Sequence, residues 1–245
     1  MTSSSTRLIA SLLLSALIAA PFTANAELNE GLTAYDKAEY ATALKELTPL
    51  AEKGNAKAQY RLGKIFNLGQ GVPPDKKEAA KWFHQAAQQG LAEAQGALGY
   101  LCLVGDGVSQ NSDLALEWTR KAATQGDATA QFNLSVMYGE RFGIQKNPAE
   151  SLKWLRKAAS QRHVQAMNTL GTLYENGQAG VTRNPALAYM LFDAAARQGD
   201  AAATAKRTSL EKDLSASDLR AGKELARKWT PGVSLAKVLG GGAHS

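Results

Sequence analysis

Three copies of one short stretch constrain this chain more than anything else in it. Lys81-Trp82-Phe83-His84-Gln85-Ala86-Ala87-Gln88-Gln89-Gly90 returns as Glu117-Trp118-Thr119-Arg120-Lys121-Ala122-Ala123-Thr124-Gln125-Gly126. It returns again as Lys153-Trp154-Leu155-Arg156-Lys157-Ala158-Ala159-Ser160-Gln161-Arg162, each copy 36 residues after the last. A period of that length marks an array of helical hairpins, in which no unit buries its apolar face until neighbours stack on it. Repetition therefore overrides the two ordinary domains that 245 residues would suggest, and one elongated domain is expected.

Four units follow from the period, at 55–90, 91–126, 127–162 and 163–199. Each opens with a helix whose small and apolar positions recur: Ala58, Leu62, Gly63 and Phe66; Ala94, Leu98, Gly99 and Cys102; Ala130, Leu134, Ser135 and Tyr138; Ala166, Leu170, Gly171 and Tyr174. Steps of four, one and three residues keep these on one face, and Gly or Ser beside the Leu admits a close partner helix. A glycine-bearing loop comes next, Gly69-Gln70-Gly71-Val72 in the first unit and Gly105-Asp106-Gly107-Val108 in the second. Its equivalents run from Gly139 through Phe142-Gly143-Ile144 and from Gly177 through Gly180-Val181. The glycines supply positive φ, and the following Val or Ile plugs the hairpin end.

Each loop closes on Asp75, Asn111, Asn147 or Asn184, residues whose side chains cap the second helix. Pro148 and Pro185 then take the first helical position, and Glu78 and Glu150 fall where a capping box needs them. Trp82, Trp118 and Trp154 form the wedge between hairpins, while Leu191 replaces the Trp in the fourth unit. Gly90, Gly126 and Gly199 end these helices in the left-handed conformation, and Arg162 breaks that rule. Weaker packing is expected at the joint between the third and fourth units.

A shorter hairpin at 27–54 precedes the array, and capping helices at 200–230 follow it, the last opening with Ser215-Ala216-Ser217-Asp218. Leu219, Leu225 and Trp229 are placed to cover the open end, which a solenoid requires for solubility. Residues 231–245, with Gly240-Gly241-Gly242, read as a flexible tail. Residues 1–26 read as a secretory signal: Arg7, an apolar run from Leu8 to Ala20, Pro21, then Ala24-Asn25-Ala26 before cleavage near Ala26. A periplasmic or secreted protein beginning at Glu27 is expected.

Cleavage would leave 27 basic against 22 acidic residues, a mild excess. No basic block interleaved with aromatics occurs, so nucleic acid is not an expected partner, whereas peripheral attraction to the cell envelope is. Cys102 is the single cysteine, so no internal disulfide forms and stability rests on helix packing.

The repeating pattern Ala-x-x-x-Leu-Gly-x-x-aromatic, Gly-x-Gly-Val, Asp or Asn, Ala-x-x-Trp, Ala-Ala, Gly resembles the Sel1-like repeat family, relatives of tetratricopeptide repeats. The match covers 55–199 strongly and the flanking hairpins loosely. The resemblance implies an all-α fold, a right-handed α/α superhelical solenoid, with first helices lining a concave groove. It also implies a non-enzymatic adaptor or scaffold in the bacterial envelope that binds a protein or peptide, or else an immunity protein neutralising a secreted toxin. The groove-facing positions carried over are Tyr60, Arg61, Lys64 and Asn67, then Tyr100 and Leu103, then Phe132, Asn133 and Val136, then Asn168, Thr172 and Glu175.

Some cysteine-rich relatives are described as β-lactamase-like, so an active serine is of interest. Ser209-Leu210-Glu211-Lys212 matches Ser-x-x-Lys, but no Ser-Asp-Asn or Lys-Thr-Gly accompanies it. His84, His163 and His244 have no metal-ligand spacing. No catalytic residue, metal or cofactor is therefore expected.

Overall fold

A computed structural model describes residues 25–139, 142, 144–230 and 233–238. The signal reading, up to residue 24, lies outside the described residues, as do Gly143, Gly240 to Gly242 and His244. The chain divides into two compact units, one ending at Gln110 and the other starting at Asn111. The division falls between the two helices of one repeat, because a stack of hairpins has no central core for a boundary to respect.

In the first unit, α1 (25–36) and α2 (Tyr40–Glu52) form the opening hairpin, and α2 continues a turn past Pro49. Then come α3 (Ala56–Leu68), α4 (Lys76–Gln88) and α5 (Ala92–Val104). The close helix approach within the hairpin is real: a Cβ on Gly63 would lie 2.6 Å from the Phe83 ring. Trp82 joins the cluster of Leu47, Leu50, Ala51 and Leu62, so it wedges α4 against the preceding hairpin as its period implies.

Asp75 accepts from the Lys77 and Glu78 amides and caps α4. The Glu78 carboxylate does not complete a reciprocal box; it pairs with Lys81 at 3.1 Å. The reason is local, since the Asp75 N–H already donates to the Phe66 carbonyl across the glycine loop at 2.9 Å. The loop glycines have a tertiary role as well. Gly107, at φ +75°, sits so tightly on α4 that a Cβ would approach the Lys76 carbonyl oxygen to 2.1 Å.

Successive hairpins in this unit are joined by a buried side-chain amide. Gln59 donates Nε2 to the Ala51 carbonyl at 3.0 Å, and Gln95 to the Ala87 carbonyl at 3.1 Å. Each carbonyl belongs to the last turn of a second helix and also accepts from the amide of the glycine that follows, Gly54 or Gly90. Gln89 then donates to Gln59 Oε1 at 2.7 Å, so both ends of the amide are engaged.

The second unit comprises α6 (Ser112–Thr124), α7 (Ala128–Gly139), α8 (Pro148–Ser160), α9 (Val164–Asn176) and α10 (Pro185–Ala196). The chain then forms α11 (Ala201–Asp213), α12 (Ala216–Lys228) and the short α13 (Leu235–Val238). Asn111, Asn147 and Asn184 cap their helices by accepting from Leu114, Glu150 and Leu187 amides. Gln131 repeats the joint, donating to the Ala123 carbonyl at 3.1 Å and accepting from Gln161 at 2.8 Å.

The joint between α8 and α9 departs from this rule, and its two helices pack against each other less extensively than those at the regular joints, as expected. Met167 takes the Gln position and is fully buried, in one apolar cluster with Leu155, Leu170, Leu191 and Phe192. Arg162 keeps the left-handed conformation at φ +62°, which costs a non-glycine residue about 1–2 kcal/mol. Its guanidinium donates to the Trp229 carbonyl and lies 4.5 Å from that indole's centre. Trp229, only 2% exposed, belongs to the same cluster, so the end cap is built into this joint. The chain beyond it is also held: Leu235, expected in a flexible tail, is buried in the cluster.

Two glycine substitutions separate conformational cost from contact. Gly90 has no neighbour within 4 Å of a built Cβ, so Gly90→Ala is expected to lose about 1 kcal/mol in urea unfolding from its positive φ alone. Gly107→Ala adds the backbone clash and is expected to lose roughly 3 kcal/mol. Equal losses would show that the Gly107 contact on α4 is not tight.

Candidate binding surface

The twelve sequence-derived positions all lie on first helices, six in each unit, and none is fully buried. In the first unit Tyr60, Arg61, Lys64 and Asn67 lie on α3 and Tyr100 and Leu103 on α5. The Arg61 guanidinium stands 4.8 Å from the Tyr35 ring centre and 5.8 Å from that of Tyr60. Lys64 Nζ stands 5.3 Å and 6.0 Å from the same two rings. Two cations thus flank one aromatic pair, an arrangement that holds positive side chains near a surface while leaving donors for a ligand. Asp36 approaches Arg61 only to 3.8 Å.

Tyr60 packs on Phe83 with the rings tilted at 45° and their centres 5.7 Å apart. Asn67 is drawn into the loop network, accepting from Lys76 Nζ at 2.9 Å while Lys76 also pairs with Asp106. Tyr100 is the contrast, with 53% of its surface exposed. One turn along α5, Val104 is exposed too, and so is Leu68 at the end of α3. Sequence reasoning missed Leu68 and Val104; the signal was available, since both stand immediately before the first loop glycine, 36 residues apart.

The second unit presents a different face. Phe132 on α7 stacks on His163 with ring centres 5.0 Å apart, and is half-buried. Asn133 and Val136 are half-buried on the same helix. On α9, Asn168 donates to Asp200 at 3.1 Å, Thr172 to the Asn168 carbonyl at 3.0 Å, and Glu175 pairs with Lys206 at 3.0 Å. These side chains are engaged within the unit, whereas Tyr100 is open to a partner.

On the second-helix side of the first unit, a cleft of about 540 Å³ lies between α2 and α4, with Thr48, Glu52, Lys81, Trp82 and Gln85 on its walls. Lys81 Nζ sits 5.2 Å from the Trp82 ring centre there.

The residues raised as possible chemistry have structural partners. Ser209 donates to the Asp213 carboxylate at 3.1 Å, and Ser209 and Lys212 are exposed on α11. The buried Cys102 thiol is pushed above its ordinary pKa by burial, which keeps it protonated and unreactive. Among the described residues no cluster of His, Cys, Asp and Glu could hold a metal ion, and no helix is long and apolar enough to cross a membrane.

The Sel1 repeat description matches residues 56–91, 92–127, 128–163 and 164–200. The chain belongs to the Sel1 repeat family. A Sel1 repeat protein from Oxalobacter formigenes shares 32% identity over 73% of this chain and 73% of its own, with a TM-score of 0.66. A protective antigen present in uropathogenic Escherichia coli strains, which displays the same repeat fold, shares 28% identity with a TM-score of 0.65. That alignment covers 83% of this chain but 44% of the antigen, so this chain spans less than half of that relative. A Sel1 repeat protein from Klebsiella pneumoniae, 16% identical over 77% of this chain and 93% of its own, has a TM-score of 0.53 and shows the fold alone. No curated protein matches the chain. The Sel1 repeat is a helical scaffold of the protein-binding kind, and the expected all-α solenoid of hairpins is the fold observed.

His163 gives this Sel1 repeat array a titratable joint. It caps α9 by accepting the Ala166 amide at Nδ1, 3.4 Å away, so the proton belongs on Nε2. Burial holds its pKa below the ordinary value, with Asp127 opposing. A histidine with a depressed folded-state pKa contributes stability that is complete above the unfolded pKa, about 6.5, and is lost as pH falls below it. Urea midpoints between pH 7.5 and 5 are expected to fall more steeply for the native protein than for His163→Asn, which retains a capping side chain. Parallel pH profiles would contradict this.

Proposed function

We propose that the protein is a non-enzymatic adaptor of the bacterial cell envelope that holds a segment of a protein partner along its first helices. The supporting observation is Tyr100, more than half exposed on a helix whose other face is packed, with exposed Val104 one turn away. Exposed aromatic side chains flanked by apolar ones are the usual anchors of protein recognition. Arg61 and Lys64, held over Tyr35 and Tyr60, add positive charge on α3 and favour a segment that carries carboxylates beside its apolar residues.

The place of action rests on the first residues. Arg7, the apolar run from Leu8 to Ala20 and Ala24-Asn25-Ala26 have the composition of an export signal. Export puts the binding face where envelope proteins are its partners.

One experiment addresses both parts. Protein recovered from the envelope fraction is expected to begin at Glu27 by mass spectrometry and to co-purify with a defined partner. Tyr100→Ala is expected to weaken that partner's binding by about 1–2 kcal/mol, with helicity unchanged. Retention of residues 1–26 in a cytoplasmic protein would overturn the export reading, and unchanged affinity would overturn the face. Phe132→Ala is a poorer probe, because its ring also packs on His163.

A further inference from the structure

The second unit holds a cationic pocket that the repeat architecture does not account for. It has a volume of about 480 Å³ and lies where α8 ends, beside α10 and the end of α12. Arg162, Arg197, Arg227 and Trp229 line it, and no carboxylate does so among the described residues. Arg162 is the residue that stands where Gly90, Gly126 and Gly199 stand in the other repeats, and it holds their left-handed conformation with a side chain. An arginine at a position suited to glycine points to a use for its guanidinium.

That guanidinium is fixed in place. One nitrogen donates to the Trp229 carbonyl and the group lies over the indole, while Gln198 bonds the Arg162 carbonyl at 3.0 Å. Burial, and then the neighbouring Arg197, press against its protonated form. Arg197 gives only Nε to Asp193, at 2.7 Å, and leaves most of its side chain exposed. Asp193 is shared with Arg207 on its other side. The acid nearest in sequence to Arg227, Glu224, is held by Lys228 at 2.6 Å. The Trp229 Nε1–H is buried and has no acceptor among the described residues.

We propose that this pocket binds a tetrahedral oxyanion of the phosphate class, gripped by Arg162, Arg197 and Arg227 with the Trp229 indole N–H as a further donor. Three guanidiniums arriving from separate helix ends suit several oxygens on one centre better than the two of a single carboxylate. The bound anion relieves the repulsion between Arg162 and Arg197 and ties α8, α10 and the end cap together. The site is independent of the face that carries Tyr100.

Calorimetric titration with inorganic phosphate at pH 8, with ionic strength held constant by sodium chloride, tests this directly. Saturable binding is expected, weakened at least threefold by Arg227→Gln, which changes an exposed side chain. It is expected to be lost in Arg162→Gly with Arg227→Gln, and unchanged in Tyr100→Ala. Phosphoserine run in parallel separates a free ion from a phosphoryl group on a larger molecule, according to which binds more tightly. No saturable binding, a loss below threefold in Arg227→Gln, or acetate binding as well as phosphate would overturn the proposal.

Discussion

A buried glutamine amide closes each regular joint between hairpins, and the stack depends on it. Where a second helix ends, the Ala51, Ala87 and Ala123 carbonyls accept from the amides of Gly54, Gly90 and Gly126 and keep a second acceptor site that the next hairpin covers. Gln59, Gln95 and Gln131 reach back eight residues to donate to that second site. The same bond fixes how the first helix of one repeat lies on the second helix of the last. Buried alanines, Ala51 and Ala58 at one joint and Ala123 and Ala130 at another, belong to the apolar clusters around it. The fourth repeat abandons the amide for Met167, and the order there comes from Trp229 and the apolar cluster around it.

The parts of this fold that were legible were those governed by local rules repeated in register. A side-chain oxygen before a second helix means a cap, and a glycine after a helix means positive φ; both follow from the backbone of a few adjacent residues. Trp82 and Trp154 are wedges because a large apolar residue repeated in phase must meet the same neighbours each time. What escaped notice was decided by residues distant in sequence. A glutamine that follows an alanine has no assigned role until the carbonyl it meets is known, and Glu78 could not complete its box because Phe66 had already taken the Asp75 amide. Arg162 looked like a defect on local grounds and became an anchor once Trp229 was seen above it.

The candidate surface was legible in the same uneven way. Helical spacing placed all twelve residues on first helices, but it could not distinguish side chains engaged within the protein from those open to a partner. Asn168, Thr172 and Glu175 satisfy one another's surroundings through Asp200 and Lys206. Tyr100 has small or apolar neighbours along α5 and remains exposed. A repeat scaffold lets this happen, because its stability is assembled from joints on one side of each hairpin. First-helix residues away from those joints are then free to vary with the partner.

The proposed partner contact lies on the first-helix side of the first unit and not in the cleft between second helices. Photo-crosslinking in cells, with the reactive residue placed at Tyr100 in one protein and at Gln85 in another, compares the two sides directly. A single partner captured from Tyr100 and absent from Gln85 is the predicted result. Capture of the same partner from Gln85 alone would place the interface in the cleft beside Trp82 and contradict the account.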